Sequence, residues 1–278
     1  MSVRRACLSA GWYPQDASSV RHAVENWNPQ SARRDAKAAI APHAGWSFSG
    51  RIASIAWSAL GEADTVVIVG GHLSSSSPIL IAPEDGFESP FGMLRADIEL
   101  RDRVADALAD LSLSTGADRA ADNTVEVQLP FMGIFAQGAR ILWFRAPASA
   151  AAIALGKAIH EAAGSLDRKV VVLGSTDLTH YGPDYGFEPA GRGEAAERWV
   201  REVNDRGFLD ALLSLDPAQA IGRALEEGSA CSPGAAAAAL SFALEEGAGG
   251  LAELAYGTSL EVRRASSFVG YAALASAS

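Results

Sequence analysis

The sequence is poor in cysteine, short of positive charge and without a long apolar run, and each shortage excludes something. Lys and Arg total 23 against 33 Asp and Glu, a formal charge of −10, and no stretch concentrates basic residues. Nucleic acid and anionic membrane surfaces call for clustered positive charge, so neither is an expected partner. No window reaches the ~20 apolar residues of a membrane span, and the start "MSVRRACLSAGWYP" has no signal-peptide core. The expected location is the cytoplasm. Only two cysteines occur, Cys7 and Cys231, near opposite ends of the chain. In a reducing cytosol they are expected as free thiols. Neither G-x-G-x-x-G nor a Walker-type lysine loop is present, so the usual nucleotide cradles are missing. "GGHLSSSS" at 70–77 has the glycines and hydroxyls of a phosphate loop but lacks its lysine and helix start.

No repeat and no Pro/Gly/Ser-rich linker divides the chain, which is long enough for one full core, so a single domain over 1–278 is expected. Short β-like runs lie at 37–41, 65–69, 78–81, 140–144, 170–173, 251–256 and 267–273. They are continuous apolar stretches, the pattern of strands covered on both faces. Helix-like segments lie between them at 51–60, 97–111, 148–163, 194–213 and 233–244. Strands alternating with helices predict an α/β fold, a parallel or mixed sheet with helices on both faces.

In such sheets ligands sit beyond the carboxyl ends of the strands. Three of the five histidines fall there. The run 37–41 leads into "PHAGWSFSG" with His43, the run 65–69 into "GGHLSSSS" with His72, and the run 170–173 into "GSTDLTHYG" with Asp177 and His180. One histidine after one strand is an ordinary turn or hydrogen-bonding residue, and a lone Asp in such a loop is by default a cap. Three equivalent positions together predict a site. His22 and His160 lie in helix-like stretches and receive no role.

Cys231 stands in "GSACSPGAAAAAL", where Ser232 fits an N-cap and Pro233 the first helical position. A thiol at a helix start is biased toward thiolate, although a buried, inert cysteine is the commoner case. Two histidines and one anion suit a ferrous ion with open positions. The candidate anions are Cys231 and Asp177, and a soft thiolate also suits zinc or cuprous copper. His180, titrating near neutrality when unperturbed, is the candidate acid/base. Trp46, Phe48, Tyr181 and Tyr185 lie in the same loops and are candidate walls for a planar substrate.

At these residues the chain resembles the Memo family, which is related to the class III extradiol dioxygenases. The resemblance runs from "AGWYP" at 10–14 to "SSFVGYAAL" at 266–274, through "APHAGWSFSG", "VGGHLS", "FESPFGMLRAD", "DNTVEVQLPF", "GSTDLTHYG" and "ACSPG" in order. It implies metal ligands at His43, His72 and Cys231, with Asp177 and His180 beside them, His180 at the position of the dioxygenases' base. It also implies one α/β domain with a central sheet between helices. The chain departs from the family pattern in three places. Asp122, Asn123 and Thr124 stand where the family often has Glu-His-Ser, Ser232 where it has Gly, and Gly71 where it has Asn or Ser. Asn123 with Glu126 reads as a capping box.

Three functions follow as expectations. The first is an Fe(II)-dependent, dioxygenase-like oxidoreductase that takes O2 and a small molecule, with copper or zinc as alternative metals. The second is a metal-binding or scaffold protein without turnover. The third is a cysteine-dependent hydrolase with Cys231 as nucleophile, His180 as base and Asp177 as its orienter.

Overall fold

A strand with one wet face alternates apolar and polar residues, whereas the runs at 65–69 and 170–173 do not alternate. The reason is visible in the computed structural model, which describes residues 2–29 and 34–277. Val67 and Val69 face one core and Val66 and Ile68 the opposite one, all four fully buried. Each such side chain contributes about 1.5–3 kcal/mol on burial, so the run is favoured only where helices cover both faces.

The strands in chain order are β1 (Val3–Arg4), β2 (Ala38–Ala41), β3 (Thr65–Gly70), β4 (Ile79–Ile81), β5 (Gly86–Ser89), β6 (Gly92–Arg95), β7 (Thr115–Ala117), β8 (Arg140–Arg145), β9 (Val170–Ser175), β10 (His180–Tyr181), β11 (Gly250–Thr258) and β12 (Phe268–Ala277). The main sheet runs β10-β12-β2-β9-β3-β8-β4-β7, with β11 also on β12, and β1-β5-β6 form a small separate sheet. Its centre, β2-β9-β3-β8, is parallel, and β12 closes one side antiparallel. The sheet is therefore mixed.

The helices are α1 (Ala17–Trp27), α2 (Trp46–Ala59), α3 (Ile98–Asp110), α4 (Asn123–Glu126), α5 (Leu129–Phe135), α6 (Ala150–Ser165), α7 (Glu194–Trp199), α8 (Asp205–Leu213), α9 (Pro217–Glu227) and α10 (Pro233–Glu245). One core packs residues of α3, α6, α8, α9 and α10 against the sheet, and the other packs α1, α2 and α5. No helix among the described residues is long and apolar enough to cross a membrane.

Two expectations are corrected here. The helix expected at 51–60 starts five residues earlier, so Trp46 and Phe48 lie on its first turn rather than in a loop. The helix expected over 194–213 is interrupted by a π turn, Val200–Asn204, between α7 and α8.

α10 explains how the far end of the chain reaches the sheet. Its alanines 235–239 are fully buried, and Gly174 of β9 lies against it so closely that an added Cβ would stand 2.6 Å from Ala235 O. Small side chains on both partners allow that approach. The N-terminus of α10 is thereby carried to the carboxyl end of β9.

Candidate metal centre

β2, β9 and β3 are adjacent and parallel, so their carboxyl ends open on one edge. His43, Asp177 and His72 each sit two residues beyond their strand, and His180 opens β10, which lies across β12 from β2. His72 has a φ of 55°, a left-handed conformation that is strained for a residue with a Cβ. Three bonds hold that turn, the first from the Gly71 N–H to Thr124 Oγ1 at 3.2 Å. The His72 N–H donates to Ser232 Oγ at 3.2 Å, and Arg145 Nε donates to Gly71 O at 2.9 Å.

Cys231 arrives from the α9–α10 connection. Its N–H donates to Asp177 O at 3.2 Å, Ala230 pairs with Leu178, and the Ser232 N–H donates to Thr176 Oγ1 at 3.1 Å. Ser232 and Pro233 occupy the N-cap and first helical positions as expected. The Ser232 hydroxyl, however, serves His72 rather than its own helix.

The three segments bring one donor atom each from His43, His72 and Cys231 to within 4.8 Å of one another. Cys231 Sγ lies 3.2 Å from His43 Nε2, and the two imidazole rings meet edge to face with centroids 4.9 Å apart. The outer nitrogens are occupied by protein. His43 Nδ1 is 3.3 Å from Ser175 Oγ, and His72 Nδ1 faces Asp122 Oδ2 at 3.5 Å. That division, inner nitrogen turned to the Cys231 sulfur and outer nitrogen held by protein, is the usual setting of a metal-ligating histidine.

Asp177 is outside the donor set. Its Oδ1 accepts from the N–H groups of His43 and Ala44 at 2.7 and 3.2 Å, tying the loop after β2 to the loop after β9. Its Oδ2 stands 3.9 Å from His43 Nε2 and 3.7 Å from His180 Nε2. His180 Nε2 is buried and has no hydrogen-bond partner.

The charges form one pattern. Burial alone would raise the Cys231 thiol, but His43, His180 and His72 outweigh it and hold the thiol well below its usual range. Burial alone would lower the histidines, yet each is raised. Cys231 and Asp177 do this for His43, Asp122 and Cys231 bring His72 to about 10, and Asp177 and Cys231 bring His180 to about 10. Asp122 is brought down to about 2 against its own burial by His72, Thr124 and Arg145. The thiol and the imidazoles each favour their charged forms through one another, and metal binding would displace protons from the ligands. The donor set of two imidazoles and a thiolate fits a first-row transition ion or zinc.

A model of Memo-like proteins matches residues 4–275. The chain belongs to the Memo family. It is 32% identical to a MEMO1 family protein of Thermococcus onnurineus and 31% identical to one of Pyrococcus furiosus, each alignment covering 98% of both chains. A MEMO1 family protein of Methanococcoides burtonii is 30% identical over 98% of this chain and 99% of the relative. The α/β architecture fits the class III extradiol dioxygenase-like fold that the family resemblance implies.

Within the Memo pattern, two of this chain's departures turn out to be one. A Cβ on Gly71 would overlap the Ser232 side chain and lie 2.9 Å from Ser232 Cα. The serine gained at 232 occupies the room freed at 71. The third departure corrects the capping box. Asp122, not Asn123, caps α4, accepting from the Thr124 N–H at 2.8 Å. Asn123 donates to His43 O at 3.1 Å. Glu126 points away and accepts from the N–H groups of Cys7 and Leu8 and from Tyr13 Oη, anchoring the N-terminal segment.

A pocket of about 360 Å³ opens over the donor cluster, lined among others by Trp12, Phe48, Asn123, Tyr185, Arg263 and Tyr271. Of the four aromatics expected as walls, Phe48 and Tyr185 line it. Trp46 instead stacks on Phe131 in the core, and Tyr181 packs on Phe268 with its hydroxyl donating to Gly191 O at 2.8 Å. Trp46 opens a helix whose buried face takes it inward, and Tyr181 takes the inward side of β10. Trp12, Arg263 and Tyr271 carried no signal, because the pocket borrows them from the N-terminal segment and from the β11–β12 end of the sheet. His22 is exposed on α1 beside Asn26, and His160 pairs with Glu246 at 2.8 Å; neither lines the pocket.

Proposed function

We propose that this Memo-family protein is an Fe(II)-dependent oxidoreductase that activates O2 on a small molecule, with His43, His72 and Cys231 as ligands. The observation that carries this reading is the convergence of the three donor atoms within 4.8 Å beneath a pocket, with the partnerless His180 Nε2 beside them. Iron bound there would supply open coordination positions and redox chemistry toward dioxygen.

The chain's own residues do the rest. The pocket is at the small end of the range for ligand sites, and its aromatic walls suit a planar molecule. With the Cys231 charge cancelled by a bound metal, one of the two charges that raise His180 is gone, leaving its Nε2 able to take a proton from a substrate hydroxyl and return it. Asp177 Oδ2 beside it steadies the imidazolium, while its Oδ1 keeps the β2 and β9 loops in register. Asp122 and Ser175 orient the two ligand histidines. In a reducing cytosol, the location we assign, both cysteines remain outside any disulfide, as they are here.

The test is anaerobic reconstitution with iron followed by oxygen-uptake measurements with catechols and related small molecules. Uptake that depends on both iron and a substrate is expected. Stoichiometric iron with no uptake for any of them would leave metal handling without turnover as the better account. A cysteine hydrolase draws its support from the 3.2 Å Cys231–His43 contact. It is sunk if native protein carries stoichiometric metal that alkylation of Cys231 releases.

A further inference from the structure

The loop that carries His180 is held from behind. Asp205 Oδ1 accepts from the Thr179 N–H at 3.0 Å and from Thr179 Oγ1, and its Oδ2 accepts from Tyr256 Oη at 2.7 Å. Its neighbour Asn204 donates from Nδ2 to Thr179 Oγ1 at 2.9 Å and to Glu227 O at 3.2 Å. Thr179 is therefore gripped at its amide and at its hydroxyl, one residue before His180. The other side of the same stretch is laced to β12, where Leu178 N–H donates to Gly270 O at 2.9 Å and Gly270 N–H donates to Thr179 O at 3.0 Å.

Asp205 and Asn204 are both buried, and no ion pair reaches Asp205 among the described residues. A carboxylate buried without a cation is costly, and a fold that needed only to fill this space would use an apolar side chain. Two further features accommodate it. The π turn Val200–Asn204 ends at this pair, adding a residue to the helix so that consecutive polar side chains both turn inward. Gly270 has no side chain where the carboxylate lies, and an added Cβ there would overlap Asp205 Oδ2. An anionic acceptor makes shorter and stronger bonds than a neutral one, so it fixes a backbone amide more firmly.

We propose that Asp205, delivered by the π turn, is a positioning residue for His180: by gripping Thr179 it fixes the ring whose Nε2 faces the donor cluster. The importance of that ring rests on the oxidoreductase reading above, but the grip itself does not.

The experiment uses full-length, zinc-loaded protein, which is diamagnetic, with ¹⁵N-labelled histidine and backbone. In Asp205→Ala, exchange of the Thr179 amide should accelerate about tenfold or more beyond that of the β12 amides, as local opening requires. The His180 ring resonances should broaden or shift, while those of His43 and His72 and the zinc content stay as in wild type. Asp205→Asn keeps an acceptor for Thr179 and should restore the ring signals. His180 resonances unmoved in Asp205→Ala, with Thr179 exchange rising only in step with the core, would overturn the proposal and leave a structural carboxylate. Should Asp205→Ala not fold, Thr179→Val removes the hydroxyl contact within the same volume. Broadened His180 signals there support the grip, and unchanged signals refute it. None of these readouts needs turnover, so absent oxygen uptake would count against the enzyme reading and not against this one.

Discussion

Ser232 fills the space that any side chain on Gly71 would need, and its hydroxyl accepts the N–H of the strained His72. Two positions 161 apart in sequence thus behave as one packing unit at the edge of the candidate metal site.

Gly71→Ser alone should therefore destabilise the protein by about 1–3 kcal/mol, the usual cost of overpacking a filled space. Adding Ser232→Gly should recover part of that loss, since the contact with Ser232 Cα remains and the bond to His72 N–H is given up. Denaturant unfolding of both single variants and the double variant measures the coupling, and simple additivity would mean that the two sites do not share a volume.

The donor set predicts separate effects on metal and fold. His72→Ala and Cys231→Ser should lose metal by more than the roughly 10–100-fold that loss of an outer partner costs. The metal-free melting temperature should change little in either. Elemental analysis and calorimetry of chelator-treated protein check both halves. Wild-type metal content with lowered melting would make these residues structural.

Asp122→Asn removes the carboxylate facing His72 Nδ1 while keeping the shape. Metal affinity, measured by competition with a chromophoric chelator, should fall about 10–100-fold. Affinity equal to wild type would mean that Asp122 serves only α4 and Arg145.

His180→Gln should keep its metal and lose turnover. A positioned proton carrier is worth about 10²–10⁴ in rate, and oxygen uptake by the iron-loaded variant should fall by that order. A loss of iron instead would move His180 into the ligand set.

Asp205 sets a pH dependence. Burial raises its carboxyl to about 6 in the fold, against the donors Thr179 and Tyr256, while the unfolded chain titrates it at 3.8. The folded state therefore holds an extra proton between those values. Stability from this group is fully present below pH 4 and is lost as pH rises through about 6. Across that window wild type should lose up to about 3 kcal/mol relative to Asp205→Asn, a change of 1.36 per pH unit. Urea unfolding of the two metal-free proteins at several pH values tests it, and parallel curves would show that Asp205 is not buried as a charge.

Much of this site was legible because strand ends are local features. A valine run that stops at a Gly, Ser or Thr loop marks the carboxyl end of a buried strand, and the next polar side chain falls in the crevice. His43, His72, Asp177 and His180 are of this kind. Cys231 was legible only as a helix start with a plausible thiolate. What stands opposite it depends on Gly174 and the alanines of α10 packing closely enough to bring that helix to β9. Asn123 read as the cap because capping preferences at 122 and 123 are nearly equal; Asp122 is the cap, and its carboxylate also faces His72 and Arg145. Trp46 and Tyr181 were misplaced for a related reason. An aromatic residue near a strand end goes to the core or to the pocket according to which face of the next element it starts.

The sequence alone determined the layered α/β scaffold and which loops bear chemistry, because burial on both faces leaves a continuous apolar run and a turn leaves its glycines. Only the tertiary structure decided that a thiol from the far end of the chain meets two imidazoles, that Gly71 and Ser232 share one space, and that a carboxylate just past a π turn holds the loop of His180. Those contacts join residues tens to hundreds of positions apart, and their energies come from packing and burial that no local pattern records.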